Sequence, residues 1–305
     1  MKNTLQSINR NAASDPAGFI GAVEEEYHRE FAALADKIAA NDNIRLVAIA
    51  GPSGSGKTTT ARLLSEMLEK LGEKNVTVSL DDFYLPASLA PVSEDGTRDT
   101  ESVNALDLEL IRSCFKQVIS TGQSEIPVYN FKTSEREPFT RKIDVGKRGI
   151  VIIEGLHAIN PVLTGLIAPQ NICRVYISVN SPILSENGEI LLTSRAVRLM
   201  RRALRDEIFR GADINTTLAM WDTVGEGERK YLFKYKDTAD VKLKTLHLYE
   251  PCIYRERFLK MRGQVNGDTP CSEYFLKTAA AAEKFVSLDK SLVPENSLLR
   301  EFIGG

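Results

Sequence analysis

Residues 51–58 read Gly-Pro-Ser-Gly-Ser-Gly-Lys-Thr, a complete Gly-x-x-x-x-Gly-Lys-Thr phosphate-binding loop. In such a loop the glycines let backbone N–H groups curl around a polyphosphate, and the N-terminus of the following helix points partial positive charge at it. Gly51, Ser53, Gly54, Ser55, Gly56, Lys57, Thr58 and Thr59 are therefore the candidates for holding a nucleotide. Lys57 is expected to reach the β- and γ-phosphates, and the Thr58 hydroxyl to ligate Mg²⁺. Further along, Asp81 and Asp82 stand side by side at the end of an apolar run. Two such carboxylates can supply a general base and an organiser of Mg²⁺, or cap the next turn. Glu154 closes the run Ile150-Val151-Ile152-Ile153, the shape of a Walker B element. A glutamate at the end of a buried strand needs a cationic partner.

Basic and aromatic residues add two more groupings. Arg198, Arg201, Arg202, Arg205 and Arg210 crowd one segment, where Val197, Met200, Leu204 and Ile208 recur at helical spacing. Arg198, Arg202 and Arg205 then form a stripe that is either a solvated face or a lid clamping a transferring phosphoryl group. Tyr129 and Phe131, two apart in an extended segment, share a face and either sandwich a planar ring or pack. His28, His157 and His247 show no triad or ligand spacing and receive no role.

The elements that must position these residues alternate. Ile44–Ala50 is an apolar run of strand length before the loop, and Ala61, Leu64, Leu68 and Leu71 follow it at helical spacing. Further strands are predicted over Val76–Leu80, Ile150–Ile153 and Cys173–Val179, with a helix marked by Leu108, Ile111, Phe115 and Val118. Strands with continuous apolar runs, separated by helices, imply an α/β fold with a parallel sheet covered by helices on both faces. Ligands of such folds sit at the carboxyl ends of the strands, where every grouping above falls. Asp15-Pro16 reads as a helix cap, and Ile20, Val23, Tyr27, Phe31, Leu34 and Ile38 mark an amphipathic helix that ends near Asn41–Asn43. Leu85–Ser102 reads as a long loop.

Bulk properties bound the function classes. The 305 residues are 43% hydrophobic and 26% charged, with a net charge of −2, so no global field would hold nucleic acid or an anionic membrane. The four cysteines are scattered without a C-x-x-C pair, which argues against zinc and fits reduced thiols in the cytoplasm. No basic-then-apolar leader opens the chain, which predicts the absence of a secretory signal. The most apolar window, Gly149–Pro169, is interrupted by Glu154, His157, Asn160 and Pro161 and does not read as a membrane span.

In order, Gly51–Thr58, Asp81-Asp82-Phe83-Tyr84, Ile126–Phe131, Ile150–Gly155 and Arg201–Asp206 with Arg210-Gly211 resemble the uridine kinase/phosphoribulokinase family of P-loop kinases. A closer likeness, carried by Asn130–Thr133, Trp221–Glu226, Ala239-Asp240 and the closing Pro294–Gly305, is to the bacterial uridine kinase-like proteins. The first 43 residues are too short for the N-terminal TGS-type region many of those carry, so that region is expected to be absent. The resemblance implies a P-loop NTPase fold: a kinase domain over 44–250 with a helical lid near 195–225, a helical segment over 1–43, and a helical C-terminal extension over 251–305 packed on the kinase domain. It also implies ATP and Mg²⁺ as cofactors and transfer of the γ-phosphoryl group to a small-molecule hydroxyl. By the same likeness Asp81 is the base, Glu154 lies near Mg²⁺, and Arg202, Arg205 and Arg210 are lid arginines. The family's ribose-binding Asp falls on Glu101, with Asp99 second. Asp82, Tyr84, Glu101, Tyr129, Phe131 and Arg136 are the acceptor-pocket candidates.

Asn130 and Ser134 stand where nucleoside-specific members carry Asp and His, and Ala212 stands at a lid-arginine position. A nucleoside acceptor, pantothenate, glycerate, a sugar phosphate and a non-catalytic ATP-binding regulatory module all stay open at this point. A homo-oligomer also stays open.

Overall fold

The computed structural model describes residues 1–92, 96, 98–130, 133–165 and 167–304. Two helices precede the sheet, α1 (Leu5–Ser14) and α2 (Pro16–Ala39). Strand β1 (Leu46–Ala50), helix α3 (Lys57–Lys70) and strand β2 (Asn75–Ser79) frame the phosphate loop. Helix α4 (Leu108–Thr121) leads to the hairpin of β3 (Gln123–Asn130) and β4 (Glu135–Asp144), then to β5 (Ile150–Glu154), α5 (Pro161–Thr164) and β6 (Ile172–Ser178). A small ribbon, β7 (Ile183–Leu184) and β8 (Ile190–Leu192), precedes the long helices α6 (Ser194–Arg210) and α7 (Ile214–Tyr231). The chain closes with β9 (Val241–Lys244), α8 (Glu250–Met261), α9 (Ser272–Ala282) and α10 (Arg300–Ile303).

Five strands form a parallel sheet in the order β2-β5-β1-β6-β9. Every residue of β1 and β5 is buried, as expected for strands covered on both faces. Alternation divides their side chains between two cores. Val47, Ile49, Ile150 and Ile152 join one, and Leu46, Ala48, Val151 and Ile153 join the other. The first core also takes Phe19, Tyr27 and Phe31 from α2 and Phe275, Leu298 and Phe302 from the C-terminal segment. Both ends of the chain therefore share one hydrophobic core with the sheet.

Register decides where the chemistry emerges. Ile49 lies opposite Glu154, and Ser79 lies opposite Glu154 on its other side, so the loops after β1, β2 and β5 leave the same edge at one level. A one-residue slip would turn Glu154 to the opposite face of the sheet.

Several elements depart from the pattern expected from the sequence. Asp15 caps α2 through the Gly18 N–H at 3.0 Å, with Pro16 in the first turn, but α1 precedes it, capped by Thr4. Helix α1 carries only Ile8 and Ala12 as buried residues, too few for a periodic signal. Strands β2 and β6 each begin and end one residue earlier than their apolar runs suggest. The short β9, a single 4-residue edge strand, left no recognisable run at all. Among the described residues no helix is long and apolar enough to cross a membrane.

Candidate active site

The loop between β1 and α3 needs glycine at two places. Gly54 and Gly56 have φ of +71° and +87°, in the left-handed region, and a Cβ on Gly56 would lie 2.5 Å from Leu298 Cδ1. Side chains of α6 and α7 grip the loop. The Ser53 N–H donates to Glu228 Oε1 at 2.8 Å, and Arg198 donates to the Ser53 carbonyl at 2.9 Å. Arg202 donates to Ser53 Oγ at 2.9 Å, and Arg201 donates to the Gly54 carbonyl at 3.1 Å. Lys57 Nζ folds back to the Pro52 carbonyl at 3.4 Å, inside the loop it is expected to serve.

The arginine segment divides into two kinds. Arg198 is buried and doubly bonded to Glu228 at 2.7 and 2.9 Å, so it is part of neither a solvated stripe nor a free lid. Arg201 is wholly buried against Glu250. Arg202, Arg205 and Arg210, by contrast, line an open cleft of about 430 Å³ and gather around one carboxylate, that of Asp206. Asp206 is buried; it received no role from the sequence, although it sits inside the arginine motif.

Two carboxylates face this cluster. Glu154 ends β5 and accepts from the Thr58 hydroxyl at 3.4 Å. Burial, together with the charge of Asp81, pushes its pKa up to about 7 against the pull of Lys57. Asp81 sits in the 3₁₀ turn Leu80–Phe83, where its backbone N–H donates to the Ser79 hydroxyl at 3.3 Å. Its side chain is exposed to the cleft, yet the enclosing walls strip enough water to raise its pKa, opposed by Lys57, Arg210 and Arg205. The adjacent Asp82 turns away to Arg141 at 3.6 Å and does not line the cleft. Of the two neighbours, only Asp81 shares a space with Lys57. The Thr58 hydroxyl and the Glu154 carboxylate are hard oxygen donors, a pair suited to Mg²⁺ that takes its other ligands from phosphate and water. Among the described residues there is no cluster of three or more His, Cys, Asp or Glu that would hold a metal without such help.

Tyr84, Tyr129 and Glu101 also line the cleft. The two tyrosine rings are 5.7 Å apart and tilted by 51°. Burial, with the carboxylates of Glu228 and Asp81, pushes Glu101 up to about 7 despite Arg202 nearby. Gly227 on α7 lets Glu101 approach, since a Cβ there would lie 2.6 Å from Glu101 Cβ. His157, without a role in the sequence reading, bonds the Glu101 carbonyl through Nε2 at 3.0 Å, and burial lowers its pKa to about 4, so it is neutral at pH 7. Asp99 is taken up by the Tyr231 hydroxyl and Lys230. Arg136 does not line the cleft: it donates to Asp107 at 3.0 Å and to the carbonyls of Tyr84 and Phe83 at 3.0 and 3.1 Å, holding the Asp81 turn from behind. Phe131 lies outside the described residues.

Residues 46–167 match the model of the Phosphoribulokinase / Uridine kinase family. The uridine kinase of Halobacterium salinarum is 25% identical over 196 residues, which cover 64% of this chain and 77% of that protein. A uridine kinase of Clostridium botulinum is 27% identical over 181 residues, covering 59% of this chain and 77% of its own length. Among solved structures, the D-glycerate 3-kinase from Cryptococcus neoformans superposes with a TM-score of 0.52 at 17% identity, over 71% of this chain and 93% of that one, a likeness of fold alone.

Proposed function

We propose, for a chain that carries a kinase domain of the phosphoribulokinase/uridine kinase family, that it transfers the γ-phosphoryl group of Mg·ATP to a hydroxyl of an uncharged small molecule of the nucleoside type. The observation that carries this reading is the cleft lined together by Lys57, Asp81, three arginines, Tyr84, Tyr129 and Glu101.

Charge selects the acceptor class. Among the described residues, Lys57, Arg202, Arg205 and Arg210 are the cations that line the cleft, and Arg202 and Lys57 also act on Glu101. Beside them the cleft offers the Glu101 carboxylate and the rings of Tyr84 and Tyr129. A neutral diol can donate two hydrogen bonds to Glu101, and a planar base can lie against the tyrosines. A carboxylate or phosphate placed there would meet the carboxylates of Glu101, Glu228 and Asp81, with Arg202 already paired to Asp206.

The transfer follows from these placements. Asp81 accepts the proton of the acceptor hydroxyl; a new O–P bond forms to the γ-phosphorus as its bond to the β–γ bridging oxygen breaks, and ADP leaves. Lys57 and the loop amides hold the phosphates, while Arg202, Arg205 and Arg210 neutralise the charge that spreads over the transferring group. Mg²⁺, held by Thr58 and Glu154, would supply further charge neutralisation at the phosphates.

A coupled ADP-release assay tests the proposal. Uridine or cytidine is expected to stimulate turnover, and glycerate, pantothenate and sugar phosphates are not. Stimulation by an anionic acceptor alone would overturn the neutral-acceptor reading. Tight Mg·ATP binding without acceptor-dependent turnover across the whole panel would instead point to a regulatory ATP-binding module.

Glu101 adds a pH dependence. Its carboxylate binds hydroxyls when ionised, so the acceptor KM is expected to fall as pH rises through about 7. Glu101→Gln should raise that KM by about 100-fold and flatten the profile. Folding responds in the opposite sense. Because the folded-state pKa lies above the ordinary glutamate value of 4.5, the folded chain holds this proton longer, and the contribution of Glu101 to stability declines between pH 4.5 and about 7. Kinetic titration of the acceptor KM between pH 5.5 and 8.5, with wild type and Glu101→Gln in parallel, reads the effect; equal slopes would remove Glu101 from the acceptor site.

A further inference from the structure

The phosphate loop is not empty of anions. Glu301, on α10, accepts from the Thr59 hydroxyl at 2.7 Å and from the Thr59 N–H at 3.3 Å. Thr59 lies in the first turn of α3, whose leading N–H groups point at the loop mouth. Those donors, with the positive end of the helix dipole behind them, are what a phosphate-binding loop offers to a nucleotide. A carboxylate already uses them.

The segment that presents Glu301 is built against the loop. Leu298 is fully buried, and its side chain fills the space a Cβ on Gly56 would need. Phe302, also fully buried, lies under the Arg201 guanidinium at 5.1 Å, and Arg201 in turn bonds the Gly54 carbonyl. Ser297 ties the segment to Tyr249 through a hydroxyl pair at 3.2 Å and caps the following turn through the Leu299 N–H at 3.1 Å. Arg300 bonds the carbonyls of Val293, Pro294 and Gly304 and so braces the segment on itself. The backbone is anchored on both sides of Glu301, while the Glu301 side chain itself is only partly buried.

We propose that Glu301 is a carboxylate latch within the nucleotide site: it occupies the Thr59 donors in the free protein, and the nucleotide phosphates must displace it to bind. The argument is electrostatic and geometric. A phosphate and a carboxylate cannot share the same two donors, and two anions in contact repel. Each binding event therefore includes breaking the Glu301–Thr59 bonds, and apparent affinity is lowered by the share of molecules in which the latch is closed. The inference rests on nucleotide binding at this loop and is independent of the acceptor.

Calorimetric titration of the full chain with Mg·ATP and Mg·ADP tests it, using Glu301→Gln and Glu301→Ala beside wild type. Glu301→Gln keeps the shape and removes the charge; Glu301→Ala removes the competitor entirely. Both variants are expected to bind Mg·ATP about tenfold more tightly than wild type, with thermal melting confirming that each is folded. Unchanged or weaker binding in both variants overturns the latch while leaving nucleotide binding intact. Failure of wild type and variants alike to bind Mg·ATP overturns the latch together with the kinase reading.

Discussion

Asp81→Asn is expected to lower acceptor-dependent ATP turnover by about 10³-fold while leaving Mg·ATP affinity within about threefold of wild type. The amide keeps the volume and the position in the Leu80–Phe83 turn, where the Ser79 hydroxyl and the bonds from Arg136 to the Phe83 and Tyr84 carbonyls hold the backbone. What it loses is the capacity to take a proton. The environment supports that role: the cleft walls raise the pKa of Asp81, while Lys57, Arg210 and Arg205 keep the charged form accessible. Steady-state ADP release with the best acceptor, and calorimetry with Mg·ATP alone, separate the two effects. Turnover retained within tenfold of wild type would show that Asp81 is not the base. Asp82→Asn serves as the comparison, since Asp82 is paired with Arg141 away from the cleft and should cost far less.

Arg201→Met is expected to destabilise the fold by about 3–5 kcal/mol, because it strands the charge of Glu250 in the core. Both side chains are 0% exposed, and Arg201 meets Glu250 through two bonds at 2.6 and 2.9 Å. The same guanidinium bonds the Thr245 hydroxyl and carbonyl and the Gly54 carbonyl. Glu250 stabilises the charged form so strongly that Arg201 stays protonated despite complete burial. In thermal melts the loss should appear as a Tm lowered by about 10 °C. The pair Arg201→Met with Glu250→Leu should recover a large part of it, since replacing both partners removes the uncompensated charge. A single variant within about 1 kcal/mol of wild type would mean that water reaches Glu250 and the burial argument fails. Nucleotide affinity should fall along with stability in Arg201→Met, because the Gly54 carbonyl loses its anchor.

The donor side of the cleft was legible because it is written locally. Eight consecutive residues specify the phosphate loop, and continuous apolar runs mark β1 and β5 as strands buried on both faces. Proline, aspartate and glycine punctuate α2 and α6 where their capping chemistry requires. Asp81 and Glu154 could be placed at strand ends from the same runs. Their convergence then follows from a parallel sheet, which sends successive loops out of one edge.

The arginines mark the limit of such reading. Helical spacing puts Arg198, Arg202 and Arg205 on one stripe, yet Arg198 is claimed by Glu228, 30 residues on, and Arg201 by Glu250, 49 residues on. Periodicity reports which residues share a face of a helix and carries no information about which distant carboxylate will meet that face. Arg136 shows the same thing, since its acceptors Tyr84 and Phe83 lie 52 and 53 residues away in sequence.

The chemistry on offer is encoded locally: a phosphate loop, two carboxylates at strand ends and a cluster of arginines, each within a few contiguous residues. Packing over long sequence distances selects which of those groups face the cleft. Three arginines were left to the cleft by buried pairing of the others, Glu101 was brought in over Gly227, and Glu301 was laid on Thr59 from 242 residues away. The physical reason is one of range. Backbone propensity and capping act within a turn or two, whereas the partner of a buried charge is chosen by the packing of the whole core.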